Sequence, residues 1–149
     1  MTVTVREMRW WDIEPILSME HELFSDDAWT PGLFWSELAQ TSTRHYLVAE
    51  NDGDIIGYAG VGCFGAEAYV QTIGVDEKHW GTGVGSVLLA ALLAEAEKRG
   101  AQTILLEVRA DNDRATRLYE RFGFASAGLR KGYYQPSGAD ARVMIRGPA

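Results

Sequence analysis

The sequence predicts an α/β fold in which a mixed central β-sheet is flanked by about four helices. β-rich runs and helical patterns alternate along the chain in the order β-α-α-β-β-β-α-β-α-β-β. The segment Asn51–Asp54 separates two β-rich runs and is typical of a tight hairpin turn. A long helical pattern at 83–99 follows a glycine-rich stretch and precedes another apolar strand. No linker or internal repeat interrupts these elements, so we expect one domain that spans residues 1–149.

The first third of the chain contains one predicted strand and two predicted helices. Alternating residues at Val3–Met8 indicate a short strand. Apolar residues recur at helical spacing over 11–24, and Asp12 stands where an N-cap residue is expected. A turn is predicted at Ser25–Trp29. The helix predicted at Thr30–Ala39 starts with an N-cap threonine and a proline at its first helical position.

The rest of the chain alternates between strands and two further helices. We predict strands at His45–Glu50, Ile55–Phe64, Ala68–Val75, Thr103–Val108, Phe124–Tyr134 and Arg142–Ile145. The apolar run at Thr103–Val108 is typical of a strand in the centre of a sheet. The helix at 83–99 is apolar on nearly every face until its last turn, and we expect it to end at Gly100. A shorter helix at Asp113–Phe122 is closed by Gly123.

The composition excludes several classes of partner. The 149 residues contain 14 Lys and Arg against 21 Asp and Glu, a formal net charge of −7, which is poorly suited to direct binding of nucleic acid or an anionic membrane. The single cysteine, Cys63, excludes an internal disulfide. The N-terminal residues lack the pattern of a signal peptide, and the longest apolar run, Val84–Ala94, is shorter than the ~20 residues of a membrane span. We expect a monomeric, cytoplasmic protein.

The acidic excess is confined to one segment, residues 10–43. Between Arg9 and Arg44 there is no Lys or Arg, although seven acids and four of the five Trp residues lie there. The acids are Asp12, Glu14, Glu20, Glu22, Asp26, Asp27 and Glu37. An acidic, tryptophan-rich surface would attract a basic partner by long-range electrostatics. A solvated acidic face that keeps the protein soluble explains the same pattern.

A glycine-rich turn at Trp80–Ser86 stands between a predicted strand and a predicted helix. Small residues expose main-chain N–H groups there, and the first turn of a helix offers unpaired donors and a positive dipole. This combination predicts a phosphate-binding cradle, although a tight connection with glycines for close packing explains it as well. The turn lacks the lysine of a P-loop. Glu107 lies 22 residues past Gly85 (107 − 85), as in a dinucleotide-binding fold, but the G-x-G-x-G spacing and the late position in the chain oppose that alternative.

A carboxylate, an amide and a phenol follow at fixed spacings. Glu107 ends a predicted apolar strand, and Asn112 and Tyr119 lie near one face of the next helix, two turns apart. Transfer of an acyl group to an amine needs one group that accepts a proton from the amine and one that returns a proton to the leaving group. Glu107 and Tyr119 are suited to these tasks. The alternatives are a solvated or salt-bridged carboxylate and a core aromatic.

The sequence offers no convincing nucleophile and no metal site. Cys63 has no histidine nearby in the sequence, and His21, His45 and His79 show no paired metal-ligand spacing. We therefore expect direct transfer, without a covalent enzyme intermediate and without a bound metal.

Residues 73–119 resemble the core of the GCN5-related N-acetyltransferases, the GNAT family. The family motif Q/R-x-x-G-x-G/A matches Trp80–Gly85, although its first position is Trp here rather than Gln or Arg. The resemblance implies a GNAT fold and acetyl-CoA as co-substrate. It also implies that the main chain of Ile73, Gly74 and Val75 holds the pantetheine arm. The residues implied to bind the pyrophosphate are Gly81, Thr82, Gly83, Val84, Gly85 and Ser86.

The resemblance extends over nearly the whole chain. It includes the segments Leu106–Asn112, Leu118–Phe124, Arg130–Tyr134 and Ser137–Ala141, and the pattern Glu20…Phe24…Trp29. By position it implies Glu107 as proton acceptor, Tyr119 as proton donor and Asn112 as an acetyl-CoA contact.

The same resemblance implies an acceptor, the N-terminal alanine of a small-subunit ribosomal protein, which is typically basic. Other protein N-termini, lysines and small cationic amines remain alternatives, as does a non-catalytic CoA-binding module. Residues 109–146 carry eight bases against four acids, as expected beside an anionic cofactor or on a solvated helix face.

Overall fold

The computed structural model describes residues 3–24 and 27–147. Within these ranges seven strands form one sheet and four α-helices flank it. The strands are β1 (Val3–Glu7), β2 (Arg44–Asn51), β3 (Asp54–Phe64), β4 (Glu67–Val75), β5 (Thr103–Arg109), β6 (Ala125–Arg130) and β7 (Ala141–Arg146). The helices are α1 (Ile13–Phe24), α2 (Pro31–Ala39), α3 (Val84–Lys98) and α4 (Asp113–Arg121). The predicted order of elements is confirmed.

The sheet is mixed, as predicted, and its strand order is β1-β2-β3-β4-β5-β7-β6. β4 and β5 pair in parallel, whereas the other neighbouring strands pair antiparallel. The parallel pairing joins only Glu67–Tyr69 to Thr103–Leu105. Beyond Tyr69 and Leu105 the facing edges of the two strands are not paired with each other, so the sheet opens between them.

Left-handed turn residues join the central antiparallel strands. Asp52 and Gly53 have φ values of 52° and 85°, as a tight turn between β2 and β3 requires. Gly65, with φ 69°, connects β3 to β4. These short connections keep the three strands adjacent, and the hairpin predicted at Asn51–Asp54 is confirmed.

Two apolar layers enclose the sheet. On one face, α3 and α4 bury a cluster that includes Leu88 and Leu92. On the other face, α1 and α2 bury a smaller cluster that includes Ile16 and Phe34. Full burial of one such side chain contributes roughly 1.5–3 kcal/mol, so both layers hold the sheet in place. In the described part of the chain no helix combines the length and the apolar character of a membrane span.

Helix α1 begins at Ile13, two residues later than predicted, and Asp12 is not its N-cap. Trp10–Asp12 form a 3₁₀ turn. The Asp12 carboxylate accepts a hydrogen bond from the main-chain N–H of Arg9 at 2.7 Å and two from the Arg6 guanidinium at 2.8 and 2.9 Å. A buried carboxylate is stabilised by such charge-assisted bonds, so Asp12 ties β1 to the start of α1.

Strand β6 ends at Arg130, four residues before the predicted end at Tyr134. Gly132 has φ 62°, and its N–H donates to the Asp140 carboxylate at 2.9 Å, so the chain turns there. The turn predicted at Ser25–Trp29 includes Ser25 and Asp26, which lie outside the described residues.

Most described acids of residues 10–43 are used inside the fold rather than on its surface. The buried or paired acids are Asp12, Glu20, Asp27 and Glu37. Of the other described acids, Glu14 and Glu22 are exposed. The segment therefore presents less negative charge to solvent than its sequence indicates, which weakens the interpretation that it steers a basic partner.

Candidate active site

A cavity of about 890 Å³ occupies the opening between β4 and β5. It is lined on one side by residues 70–75 of β4 and on the other by residues 106–109 of β5. Because the two strands no longer pair there, their facing main-chain edges are available to a ligand. The predicted pantetheine residues Ile73, Gly74 and Val75 all line this cavity.

Gly74 is required by packing as well as by its position in the cavity. A Cβ at Gly74 would lie 2.5 Å from the Tyr58 ring and hydroxyl on the neighbouring strand β3. The Tyr58 hydroxyl donates a hydrogen bond to the buried carboxylate of Glu20. The absence of a side chain at Gly74 therefore lets a buried tyrosine reach α1.

The glycine-rich turn leads directly into α3. Gly81 and Gly83 have φ values of 80° and 91°, and a Cβ at either position would meet no atom within 4 Å. Gly85 has a different function, because a Cβ there would lie 3.3 Å from a methyl carbon of Leu118 on α4. Two glycines thus leave open space along the cavity, and the third allows the first turn of α3 to approach α4.

Of the remaining residues of the predicted phosphate-binding cradle, two line the cavity and one uses its side chain to close the turn. Val84 and Ser86 lie in the first turn of α3 and line the cavity. Val84 is also buried against the main core. The Thr82 hydroxyl donates to the main-chain carbonyl of His79 at 2.5 Å, so that side chain closes the turn. Main-chain N–H groups at the start of α3 are the donors that this geometry directs at an anion.

Glu107 and Tyr119 reach the cavity from opposite faces of β5. Leu106 and Val108 are buried in the same core cluster as Tyr119. Because side chains alternate along a strand, Glu107 points to the other face. Both Glu107 and Tyr119 line the cavity. A group that reacts between them would have a carboxylate on one side and a phenol on the other.

Tyr119 is a core aromatic whose surroundings also favour proton donation. Its side chain packs edge to face on Phe124, with ring centres 5.8 Å apart, and the residue is 4% exposed. Burial raises the pKa of the Tyr119 hydroxyl above its ordinary value, and the neighbouring Tyr134 adds to this shift. Within residues 3–24 and 27–147 no group hydrogen bonds to the hydroxyl. It is therefore a protonated phenol that remains free to donate.

Glu107 is half-buried and held by a residue that the sequence analysis did not single out. Arg130, at the end of β6, donates from Nη1 to Glu107 Oε1 at 3.0 Å. The Arg130 guanidinium also lies 5.0 Å from the centre of the Tyr133 ring. The segment Arg130–Tyr134 contributed only to the family resemblance, and nothing in its local pattern indicates a contact with Glu107.

Asn112 lines the cavity and caps α4. Its side-chain oxygen accepts a hydrogen bond from the main-chain N–H of Ala115 at 3.1 Å. This is the usual task of an N-cap asparagine. The amide nitrogen has no partner among the residues described, so it is the part of Asn112 that is free to donate to a ligand.

Acids from α1 and from the segment that follows it also line the cavity. The Asp27 carboxylate, 5% exposed, accepts hydrogen bonds from Arg109 at 2.8 Å and from the Ser137 hydroxyl at 2.7 Å. Glu20 accepts a hydrogen bond from the main-chain N–H of Trp29 at 2.8 Å. These contacts join distant parts of the chain around the cavity. In the sequence, the burial of Glu20 is indicated only by its position beside the apolar stripe of α1.

Metal-ligating side chains do not converge here. Across the described ranges no group of three or more His, Cys, Asp or Glu residues has the arrangement of a metal site. Cys63 is buried as a free thiol, and burial raises its pKa. The cavity thus combines main-chain donors, a carboxylate and a phenol.

Residues 6–124 match the Acetyltransferase (GNAT) family. The chain belongs to this family and is an acetyltransferase, and the family uses acetyl-CoA. The N-alpha-acetyltransferase RimI of Mycobacterium tuberculosis is 43% identical over 149 residues, which cover 97% of this chain and 92% of that protein. The ribosomal protein bS18-alanine N-acetyltransferase of Escherichia coli K12 is 38% identical over 116 residues, with coverages of 74% and 78%.

A solved structure shows the same architecture. The crystal structure of the ribosomal-protein-S18-alanine N-acetyltransferase from Escherichia coli superposes with a TM-score of 0.87 at 30% sequence identity. The match covers 98% of this chain and 94% of that one. The predicted GNAT fold is confirmed.

Proposed function

We propose that this chain is an N-alpha-acetyltransferase that moves the acetyl group of acetyl-CoA to the N-terminal alanine of a small-subunit ribosomal protein. The N-alpha-acetyltransferase activity of the Mycobacterium tuberculosis relative supports an α-amine as acceptor, and the bS18-alanine activity of the Escherichia coli relative supports an N-terminal alanine of a ribosomal protein. The observation that carries the chemistry is the approach of Glu107 and Tyr119 to one cavity from opposite faces of β5.

The residues of the cavity fit acetyl-CoA. The edge of β4 at Ile73–Val75 that does not pair with β5 can hydrogen bond to the amide groups of a pantetheine arm, through its main-chain groups other than the Val75 carbonyl, which is bonded to Trp80. The open space at Gly81 and Gly83 and the N–H donors at the start of α3 suit a pyrophosphate, and the free amide nitrogen of Asn112 offers another donor. When bound, acetyl-CoA supplies an acetyl group activated as a thioester.

Glu107 and Tyr119 move the two protons of the reaction. The neutral amine nitrogen attacks the thioester carbonyl carbon, and Glu107 accepts the proton that the nitrogen loses. As the carbon–sulfur bond breaks, the Tyr119 hydroxyl donates a proton to the departing thiolate. General acid and base groups of this kind typically contribute 10²–10⁴-fold each to the rate. Nothing in this sequence of steps requires a covalent enzyme intermediate.

The chemistry favours an α-amine over a lysine as acceptor. An α-amino group has a pKa near 8, against about 10.4 for lysine. A much larger fraction of α-amine is therefore neutral at physiological pH, so that its nitrogen has only one proton to lose after attack, which Glu107 accepts.

A panel of acceptors tests this function directly. We would measure acetyl transfer from acetyl-CoA to peptides that begin with Ala, Ser, Met or Gly and carry basic residues downstream. A peptide with a blocked N-terminus and one lysine, and the polyamine spermidine, complete the panel. We expect kcat/KM for the alanine peptide to exceed that for the blocked peptide and for spermidine by at least about 100-fold.

Substitution of the proton acceptor separates catalysis from binding. Glu107→Gln should lower kcat for the alanine peptide by about 10²-fold or more, with little change in acetyl-CoA affinity. Glu97→Gln is the matched control, because its ion pair with Arg146 lies outside the cavity. Equal turnover by Glu107→Gln and the unsubstituted protein would refute the assignment. Tight CoA binding without turnover of any acceptor would indicate a non-catalytic module.

A further inference from the structure

Trp80 and Arg114 form a stacked pair at the start of the glycine-rich turn. The Arg114 guanidinium carbon lies 3.6 Å from the centre of the Trp80 ring. The Trp80 indole N–H donates to the main-chain carbonyl of Val75 at 2.8 Å. The indole is thereby anchored to the end of β4, immediately before the left-handed Gly81. A guanidinium stacked on an aromatic face keeps the N–H donors along its edge free.

Arg114 differs from most arginines of the protein, because no carboxylate neutralises it among the described residues. The arginines that do form carboxylate ion pairs are Arg6, Arg9, Arg44, Arg99, Arg109, Arg130 and Arg146. Arg114 instead lines the same cavity as Gly81 and Gly83. A fixed, uncompensated cation beside main-chain N–H donors is an arrangement that binds phosphate.

Further cations extend from Arg114 along the same helix. Arg117 and Arg121 follow at spacings of three and four residues on α4, and both line the cavity. At 1.5 Å per residue these cations span about 10 Å. A Cβ at Gly85 would lie only 3.3 Å from Leu118, so α4 packs close to the first turn of α3. The cationic side of α4 therefore continues the surface that begins at the glycine-rich turn.

We infer that Arg114 binds a phosphate group of acetyl-CoA and that Trp80 is the positioning residue that holds it there. The inference rests on the use of acetyl-CoA in the proposed function but not on the identity of the acceptor. A bidentate guanidinium contact suits either the diphosphate or the 3′-phosphate of CoA. Trp80 supplies the platform, and Arg114 supplies the charge.

Calorimetric titration with CoA tests this inference without an acceptor. We expect Arg114→Gln to weaken CoA binding by about 10-fold or more, as for the loss of a charged hydrogen bond, and Arg114→Lys to recover only part of it. Arg9→Gln removes the same charge at a distant, exposed pair with Glu7 and should leave the affinity unchanged. Unchanged CoA affinity in Arg114→Gln would overturn the inference.

A double-mutant cycle tests the positioning by Trp80. Trp80→Phe and Trp80→Ala should each weaken CoA binding when Arg114 is present and have little further effect in the Arg114→Gln background. Thermal unfolding of each variant checks that it is folded, and Trp80→Phe retains an aromatic ring if the alanine variant is unstable. Equal losses in both backgrounds would overturn the positioning role, because Trp80 would then act independently of Arg114.

Titration with 3′-dephospho-CoA identifies the phosphate. If Arg114 contacts the 3′-phosphate, Arg114→Gln should weaken binding of CoA but not of 3′-dephospho-CoA. If it contacts the diphosphate, both ligands should lose affinity equally. Either outcome supports the phosphate contact. The acceptor panel is independent of these titrations, so a failure there would contradict the proposed acceptor and leave the CoA result intact.

Discussion

The Nη1 atom of Arg130 lies 3.0 Å from the Oε1 atom of Glu107, so the proposed proton acceptor is held by an ion pair. Glu107 is 24% exposed at its side chain, and Arg130 is 56% exposed. An ion pair this open contributes little to stability. Its consequence lies in the orientation of the Glu107 carboxylate, one oxygen of which it holds by a hydrogen bond.

We expect Arg130→Gln to lower kcat for an alanine-starting peptide by about 10-fold, since a misplaced catalytic group loses rate steeply with displacement. Acetyl-CoA affinity should change little, because Arg130 does not line the cavity. Steady-state kinetics combined with calorimetry measure the two effects. Lys131→Gln removes a neighbouring charge and serves as control. An unchanged kcat in Arg130→Gln would show that Glu107 needs no orienting partner.

Tyr119→Phe should lower kcat by about 10²-fold while acetyl-CoA affinity is retained. Tyr69→Phe, which removes a hydroxyl bonded to Glu67 outside the cavity, should have no such effect. A loss of acetyl-CoA binding as large as the loss of kcat would argue for a structural role of the hydroxyl instead.

The raised pKa of Tyr119 also predicts the pH dependence of the reaction. Burial disfavours the phenolate, so the hydroxyl stays protonated above the ordinary tyrosine pKa of about 10. Activity that depends on a protonated Tyr119 should therefore persist past pH 10, where an ordinary tyrosine is about half ionised. We would record kcat from about pH 7 to about pH 11. A decrease with an apparent pKa near 10 that disappears in Tyr119→Phe would contradict this prediction.

Substitution of Gly83 should affect ligand binding and stability separately. Gly83→Ala places a Cβ in the open space beside the cavity and strains a residue with φ 91°. Gly65→Ala produces similar backbone strain, at φ 69°, in a turn outside the cavity. Both should lower the unfolding free energy by about 1 kcal/mol, as urea titration would show. We expect only Gly83→Ala to weaken CoA binding, by about 10-fold. If Gly83→Ala and Gly65→Ala bound CoA with equal affinity, Gly83 would not belong to the binding site.

The Asp12–Arg6 ion pair predicts a pH-dependent stability. The hydrogen bond from Arg6 lowers the pKa of Asp12 below its ordinary value, so the pair stabilises the fold above about pH 4 and loses this effect as the pH falls through the lowered pKa. Asp12→Asn should lower the free energy of unfolding by about 2 kcal/mol at pH 7. The difference in unfolding free energy between this variant and the unsubstituted protein should shrink below pH 4. Urea unfolding at several pH values measures it, with the exposed Glu14→Gln as control. A difference independent of pH would contradict the ionic origin.

The order of strands and helices was predictable because local signals specify it. The left-handed turn at Gly53 requires a residue without a side-chain penalty, and the N-cap at Thr30 accepts a hydrogen bond from Leu33 at 3.2 Å as expected. Such signals lie within a few residues of the structure that they determine. The same local reasoning was wrong for Asp12, because its carboxylate turns to Arg6 on β1 instead of capping α1.

The charge of residues 10–43 shows that composition alone does not predict which acids are exposed. Seven acids without a base indicate an acidic surface, but Glu37 is buried and accepts hydrogen bonds from Arg44 and the Tyr46 hydroxyl. Glu20 is likewise buried against Tyr58. A count of charges does not contain the partners that folding supplies, and so the count overstated the negative charge that this segment exposes.

The sequence by itself determined the elements, the glycine-rich turn and the spacing of Glu107, Asn112 and Tyr119, since these depend on residues that are neighbours along the chain. Only the tertiary structure decided how they meet. It opened β4 from β5, directed Glu107 and Tyr119 to opposite faces, joined Arg130 to Glu107 and stacked Arg114 on Trp80. The physical reason is that these contacts join residues on different elements, whereas helical and strand periodicities extend over only one element at a time.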